Sequence, residues 1–159
     1  MNTERLDEFS VGVHTNGYED LAIEIILLAV RDYQTAYRRL DKVSKRKKEL
    51  LKEAEKYPNV FLDSNKYKEA HRKMHLESLR MNESLSTIYR ENYLRSELQK
   101  LRDKEIDLIR IIRDCESFFC GDWISMLTTI GGKNIKAKLD YELIHKGISL
   151  LDSNYYKEN

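Results

Sequence analysis

Pro58 is the only proline in 159 residues, and it divides two long stretches of helical periodicity. Before it, Ile23, Ile26, Val30, Tyr33, Tyr37 and Leu40 step by three and four residues, the spacing of a coiled-coil-like apolar stripe. The register then meets Ser44 and Lys47 and recovers at Leu51 and Ala54. Proline disfavours helical geometry at the residue before it, so the first helix must stop near Tyr57. Asn59 to Asp63 form a short connection, and Asp63 or Ser64 can cap a second helix carrying Tyr67, Ala70, Met74, Met81, Leu85 and Ile88. So short a loop makes the two helices antiparallel neighbours. With Tyr57 opposite Ser64, Lys48 is expected near Lys73 and Asp41 near Arg80.

The fold class expected is all-α: a long antiparallel, coiled-coil-like helical hairpin over 16–118, with a small C-terminal helical cap over 119–151. Residues 1–15 read as a loosely held arm and 152–159 as a frayed tail. Asn16 with Glu19 is a plausible capping pair for the first helix. Leu94, Leu98, Leu101, Leu108, Ile112 and Cys115 continue the stripe to Phe119, and Ile106, Ile109 and Ile111 widen it. Residues 106–112 are therefore expected in the core. The stretch 64–118 is either one helix or breaks near Asn82-Glu83-Ser84; unbroken, it would overhang the first by about 30 Å at 1.5 Å per residue, an overhang that a dimer partner would have to cover. Further on, Gly131-Gly132 reads as a turn, Asn134 as a cap, and Gly147 as a left-handed helix stop with Ile148 packing back.

Charged residues make up 35% of the chain and glycines number six, which suits long exposed helices. Twenty-eight cations against 27 carboxylates leave a net charge of +1, so attraction to nucleic acid or membrane must be local. No apolar run reaches the length of a membrane span, and the first residues lack the pattern of a secretion signal. Cys115 and Cys120 are too few for a disulfide framework, which points to a soluble protein of a reducing cytoplasm.

The densest local charge is RRLDKVSKRKK, Arg38 to Lys48, with seven cations and only Asp41 opposing them. Arg38, Arg39, Lys42, Lys45, Arg46, Lys47 and Lys48, joined by Arg72 and Lys73 of the second basic stretch, are the candidate binding residues for a protein partner or a phosphate backbone. A solvated helix face is the plainer reading of such a run. His71 and His75 are four apart, but Glu is absent from position 72 and no third ligand is evident, so two solvent-facing histidines are expected. Cys115 lies on the apolar stripe and reads as core. Gly131-Gly132-Lys133 fails the phosphate-loop pattern, having Leu127 five residues before Gly132 and Asn134 after Lys133. Phe118, Phe119 and Trp123 read as core, with an exposed partner anchor as the alternative. No catalytic, metal or cofactor residues are expected.

DYQTAYRRL (Asp32 to Leu40) paired with ESFFCGDWISMLTTIGGKNIKAKL (Glu116 to Leu139) resembles a group of short, functionally uncharacterised proteins from phages and prophages of gut Firmicutes. In these a tyrosine-containing basic helix is followed by Phe-Phe-x-x-x-Trp, a Leu-Thr-x-x-x-Gly turn and a last short helix. The match covers about a third of the chain. Thr129 and Gly131 stand where acidic residues are expected, and 44–100 looks like an enlargement. The resemblance implies a mobile-element origin and a helical fold, and carries no mechanism.

The functional expectation is a non-enzymatic protein-binding protein acting in the host bacterial cytoplasm. Its partner would be a host protein, a defence nuclease complex being one candidate, inhibited by occlusion in the manner of anti-CRISPR proteins. The alternative is a nucleic-acid-binding regulator using the basic stem. A homodimer is expected under either reading, through the long seam and residues 106–112.

Overall fold

A computed structural model of the protein describes residues 17–81, 85–129 and 131–152. Among them are five α-helices and one 3-10 turn: α1 (Gly17–Ala54), the turn Pro58–Phe61, α2 (Ser64–Met81), α3 (Ser86–Cys120), α4 (Asp122–Leu127) and α5 (Gly132–His145). The fold is all-α, as expected. No helix among the described residues is long and apolar enough to cross a membrane. The arm 1–15, the capping residue Asn16 and the tail from 153 lie outside the described residues, as do residues 82–84. The long C-terminal stretch is two helices, with α2 ending just before 82–84 and α3 beginning just after.

The chain divides into two compact units, Lys42–Ile106 and a second formed from Met1–Asp41 with Asp107–Asn159. The boundaries fall inside α1 and inside α3, not at position 118. No helix end or turn residue marks them, so the sequence could not announce them.

In the unit 42–106, the backbone behaves as proline chemistry dictates. The last turn of α1 tightens into i→i+3 bonds, Lys56 N–H to Glu53 O at 3.1 Å and Tyr57 N–H to Ala54 O at 2.9 Å. Pro58 then opens the 3-10 turn, where its missing N–H costs nothing. The turn drops Val60 into a cluster with Leu50, Ala54, Leu94, Leu98 and Leu101, against which Val43, Leu51 and Tyr57 also pack. Asp63 caps α2: its Oδ1 accepts from Lys66 N–H at 2.9 Å, while its carbonyl takes the first helical bond from Tyr67.

The antiparallel arms of the hairpin in this unit are α1 and α3. Lys47 Nζ lies 3.4 Å from Glu105, and Arg90 Nε donates to Glu53 at 2.6 Å. α2 bonds instead to α3: the Tyr67 hydroxyl donates to Asn92, and His71 Nε2 meets Glu91 at 2.5 Å. The expected apposition of Lys48 with Lys73 is replaced by this pairing. The reason is the stretch after residue 84, whose leucine stripe at 94, 98 and 101 covers Leu50 and Ala54 better than the sparser apolar face of α2.

In the other unit, the buried apolar side chains include Ala22, Ile26, Val30, Tyr33, Ala36, Tyr37 and Leu40 of α1, Leu108, Ile112, Cys115 and Phe119 of α3, Ile124, and Ile135, Leu139 and Leu143 of α5. Residues 106–112 are not uniformly core, because Ile106 and Ile111 are exposed. Leu108 and Ile112 alone occupy the inward positions of a two-sided helix. α5 begins at Gly132, two residues before the expected cap, with Asn134 N–H already bonded to Gly131 O at 3.1 Å. Gly132 is sterically required: a Cβ there would stand 2.0 Å from Phe119 O and 2.6 Å from Ile124 Cγ2. At the other end Gly147 has φ +82, with Gly147 N–H bonded to Ile144 O at 2.9 Å and Ile148 N–H to Leu143 O at 3.0 Å. This is a Schellman stop with Ile148 buried behind it.

Candidate partner-binding surfaces

α4 is six residues long, so its side chains divide sharply between two directions. Ile124 points into the core, while Trp123 is 50% exposed and Met126 80% exposed. The expectation that Trp123 is core is corrected: at about 100° per residue, a helix seated on Ile124 must turn positions 123 and 126 outward. Trp123 is nonetheless backed by a run of edge-to-face aromatic pairs. Its ring centroid lies 5.6 Å from Phe118, Phe118 lies 5.6 Å from Phe119, Phe119 lies 5.8 Å from Tyr33, and Tyr33 lies 5.1 Å from Tyr37. Such pairs favour perpendicular rings and restrain them. An exposed indole held in one orientation loses little side-chain freedom on binding, which suits an anchor.

Beneath this run lies a buried polar cluster. The Tyr33 hydroxyl donates to Asp140, which also accepts from the buried Lys136 at 2.6 Å. Arg113 bonds the buried Glu116 at 2.9 Å and reaches Asp152 O at 2.7 Å. Tyr37 Oη accepts from Leu151 N–H at 3.2 Å, so the last described residues are held against α1. Burial first, and the hydrogen bond to Asp140 second, push the Tyr33 hydroxyl far above its usual range. Burial also raises the Tyr37 hydroxyl. These groups are acids locked in their neutral form, suited to position neighbours rather than to exchange protons. Only the paired tyrosines at 33 and 37 hinted at the cluster. Its charged members come from α3 and α5 and its tyrosines from α1, which a linear motif does not join.

Cys115 sits in the core as expected. Burial, reinforced by Asp32, Asp114 and Glu116, pushes its thiol up to about 12, the opposite of what a nucleophilic cysteine needs. Cys120 is half-buried and also raised, burial outweighing the opposing influence of Lys136 and Lys133.

Of the candidate basic residues, Arg38 and Arg39 are exposed on α1 in one unit. In the other, Lys42, Lys45, Arg46 and Lys48 are exposed on the continuation of the same helix, while Lys47 is drawn half-buried toward Glu105. Arg46 bonds Glu49 at 3.2 Å. Because Tyr37, Leu40 and Leu50 face inward, the helical repeat turns Arg38, Lys42 and Lys45 away from the core. Arg72 and Lys73 are exposed on α2, and Arg72 lies 3.5 Å from Glu69.

The histidine expectation holds for His75 and fails for His71. His75 is exposed, whereas His71 is mostly covered, bonded to the buried Glu91, with its ring centroid 4.1 Å from that of Tyr67 at a 39° tilt. Arg95 lies 4.1 Å over the Tyr67 ring and donates to Val60 O and Leu62 O at 3.0 and 2.6 Å. The cluster ties the 3-10 turn and α2 to α3. No group of three metal-ligating side chains occurs among the described residues. Compared with family models, curated proteins and solved structures, the chain finds no match.

Proposed function

We propose that this chain is a non-enzymatic protein-binding protein of phage or mobile-element origin that acts by covering a surface of a host protein. A defence nuclease complex is the target class, in the manner of anti-CRISPR inhibitors. The observation that carries the reading is the exposed Trp123–Met126 pair on α4, held by the aromatic run behind it. Rigid aromatic side chains of this kind dominate binding hot spots, and occlusion needs no reacting group. The mobile-element origin rests on the resemblance of Asp32–Leu40 and Glu116–Leu139 to phage proteins.

The test is a tagged pull-down from host lysate with and without nuclease, comparing the native chain with Trp123→Ala/Met126→Ala. A discrete partner that survives nuclease and is lost with the variant is the expected result. A partner retained by the variant removes α4 from the reading, and no protein partner at all sinks it.

A second reading, a nucleic-acid-binding regulator, is favoured by one observation: the outward cations of α1, Arg38, Arg39, Lys42, Lys45 and Arg46. It predicts binding that weakens steeply with salt, and loss on changing Lys45, Arg46, Lys47 and Lys48 to Glu. Salt-insensitive binding rejects it.

A further inference from the structure

Two helix faces of this chain are exposed, apolar at the centre and opposite in charge. On α2, Leu76 is 58% and Leu79 74% exposed, one helical turn apart, with exposed Arg72, Lys73 and Arg80 around them. Over Lys66–Arg80 there are five cations and two carboxylates, a net +3. On α1, Leu21 is 54% and Leu28 57% exposed, two turns apart, with exposed Asp20, Glu24 and Asp32 around them. Over Glu19–Asp32 there are four carboxylates and one cation, a net −3. Each face lies opposite its helix's inward side: Ala22, Ile26 and Val30 are buried on α1, and Ser78 is buried on α2.

We infer that these two faces bind each other between two copies of the chain. α2 of one copy packs on the first half of α1 of the other, and a twofold axis makes the contact twice. Leu21 and Leu28 stand about 10.5 Å apart along the axis at 1.5 Å per residue, a gap that admits the closer Leu76–Leu79 pair between them. The cations bordering Leu76 and Leu79 then meet Asp20, Glu24 and Asp32, which sets orientation and rejects pairings of like faces. A twofold axis makes the interface self-complementary and doubles the surface that a single contact buries. The alternative seam on α3 is weaker. Its exposed isoleucines, Ile106 and Ile111, are five residues apart, about 140° around the helix, and form no common stripe.

The experiment is light scattering and sedimentation on the full chain and three variants. The native chain is expected at twice its 18.9 kDa mass at high micromolar concentration, and Leu76→Glu/Leu79→Glu at the monomer mass with unchanged helix content. Lys73→Glu/Arg80→Glu and Asp20→Lys/Glu24→Lys are each expected to weaken the dimer at least tenfold. Mixing these two restores it as a heterodimer, because both contacts then regain opposite charges. A monomeric native chain overturns the proposal. So does a dimer indifferent to Leu76→Glu/Leu79→Glu, or a charge-reversed mixture that fails to pair.

Discussion

His71 of α2 and Glu91 of α3 meet at 2.5 Å, with the Glu91 side chain only 3% exposed. The second carboxylate oxygen lies 3.4 Å from Asn59 Nδ2, so one buried acid joins α2, α3 and the 3-10 turn. A buried carboxylate is retained in a small core only while its partners stay in place, since desolvation opposes it. Replacing Glu91 by Ala is expected to cost roughly 1–3 kcal/mol, because it takes a hydrogen-bond partner from both His71 and Asn59. Exchanging both for apolar residues, His71→Leu with Glu91→Met, is expected to cost much less than the two single changes added. Urea denaturation of the four proteins of that cycle measures the coupling. Strict additivity would show that the pair is incidental.

Gly132 tests the seat of α5 on α3 and α4. Gly132→Ala places a methyl group against a backbone oxygen that cannot rotate away, so a loss at or above the usual ~1–3 kcal/mol of an overpacked core is expected. Gly17 is the control. Nothing lies within 4 Å of a Cβ there, and Gly17→Ala is expected to be neutral or to stabilise by up to ~1 kcal/mol, through the unfolded chain. Equal effects at the two sites would mean that helix propensity, not space, decides.

The end of α5 separates conformation from contact. Nothing lies within 4 Å of a Cβ on Gly147, yet its φ is +82. Gly147→Ala is therefore expected to cost about 1–2 kcal/mol from backbone geometry alone. Gly147→Asn is expected to cost less, since asparagine tolerates the left-handed region. Thermal unfolding of the three proteins gives the order. An alanine variant as stable as the native chain would show that the stop is not held.

Features governed by a few neighbouring residues were legible in the sequence. Pro58, the Asp63 cap, the Gly147 stop and the α1 stripe follow from backbone chemistry acting over one or two turns. What was not legible depends on which helix wins a shared surface. α3 rather than α2 covers Leu50 because its leucines are better spaced, a comparison that periodicity does not rank. Trp123 and Ile106 were expected inside because they are large and apolar, yet a helix docks on one side only, and Ile124 and Leu108 took it. Glu91 is buried against His71, 20 residues away in sequence, while Glu116 and Lys136 are buried beside partners one turn off, Arg113 and Asp140. A polar residue in a helical pattern carries no mark of that fate. His71 is the clearest case, since His75 has the same composition around it and remains outside.

The buried acids of α1 and α3 give the protein an alkaline limit. In the unfolded chain the Cys115 thiol ionises near its ordinary 9.0, while burial in the fold pushes it up to about 12. Between those values the unfolded state has lost a proton that the native state retains, so unfolding gains with rising pH. The stabilisation from this group is complete below pH 9.0 and disappears as pH rises toward about 12, at up to roughly 1.4 kcal/mol per pH unit. Tyr33, raised by burial and by its bond to Asp140, adds to the slope in the same direction. Cys115→Ala is expected to be less stable at neutral pH, from the cavity it leaves, but to lose stability less steeply above pH 9.0. Urea midpoints across that window give the two slopes, and the comparison is between slopes, so the cavity cost cancels. A parallel measurement with a thiol-alkylating reagent should label the half-buried Cys120 first, and Cys115 only as the fold opens. Identical alkaline slopes in the native and Cys115→Ala proteins would mean that Tyr33 and its neighbours set the limit without the thiol.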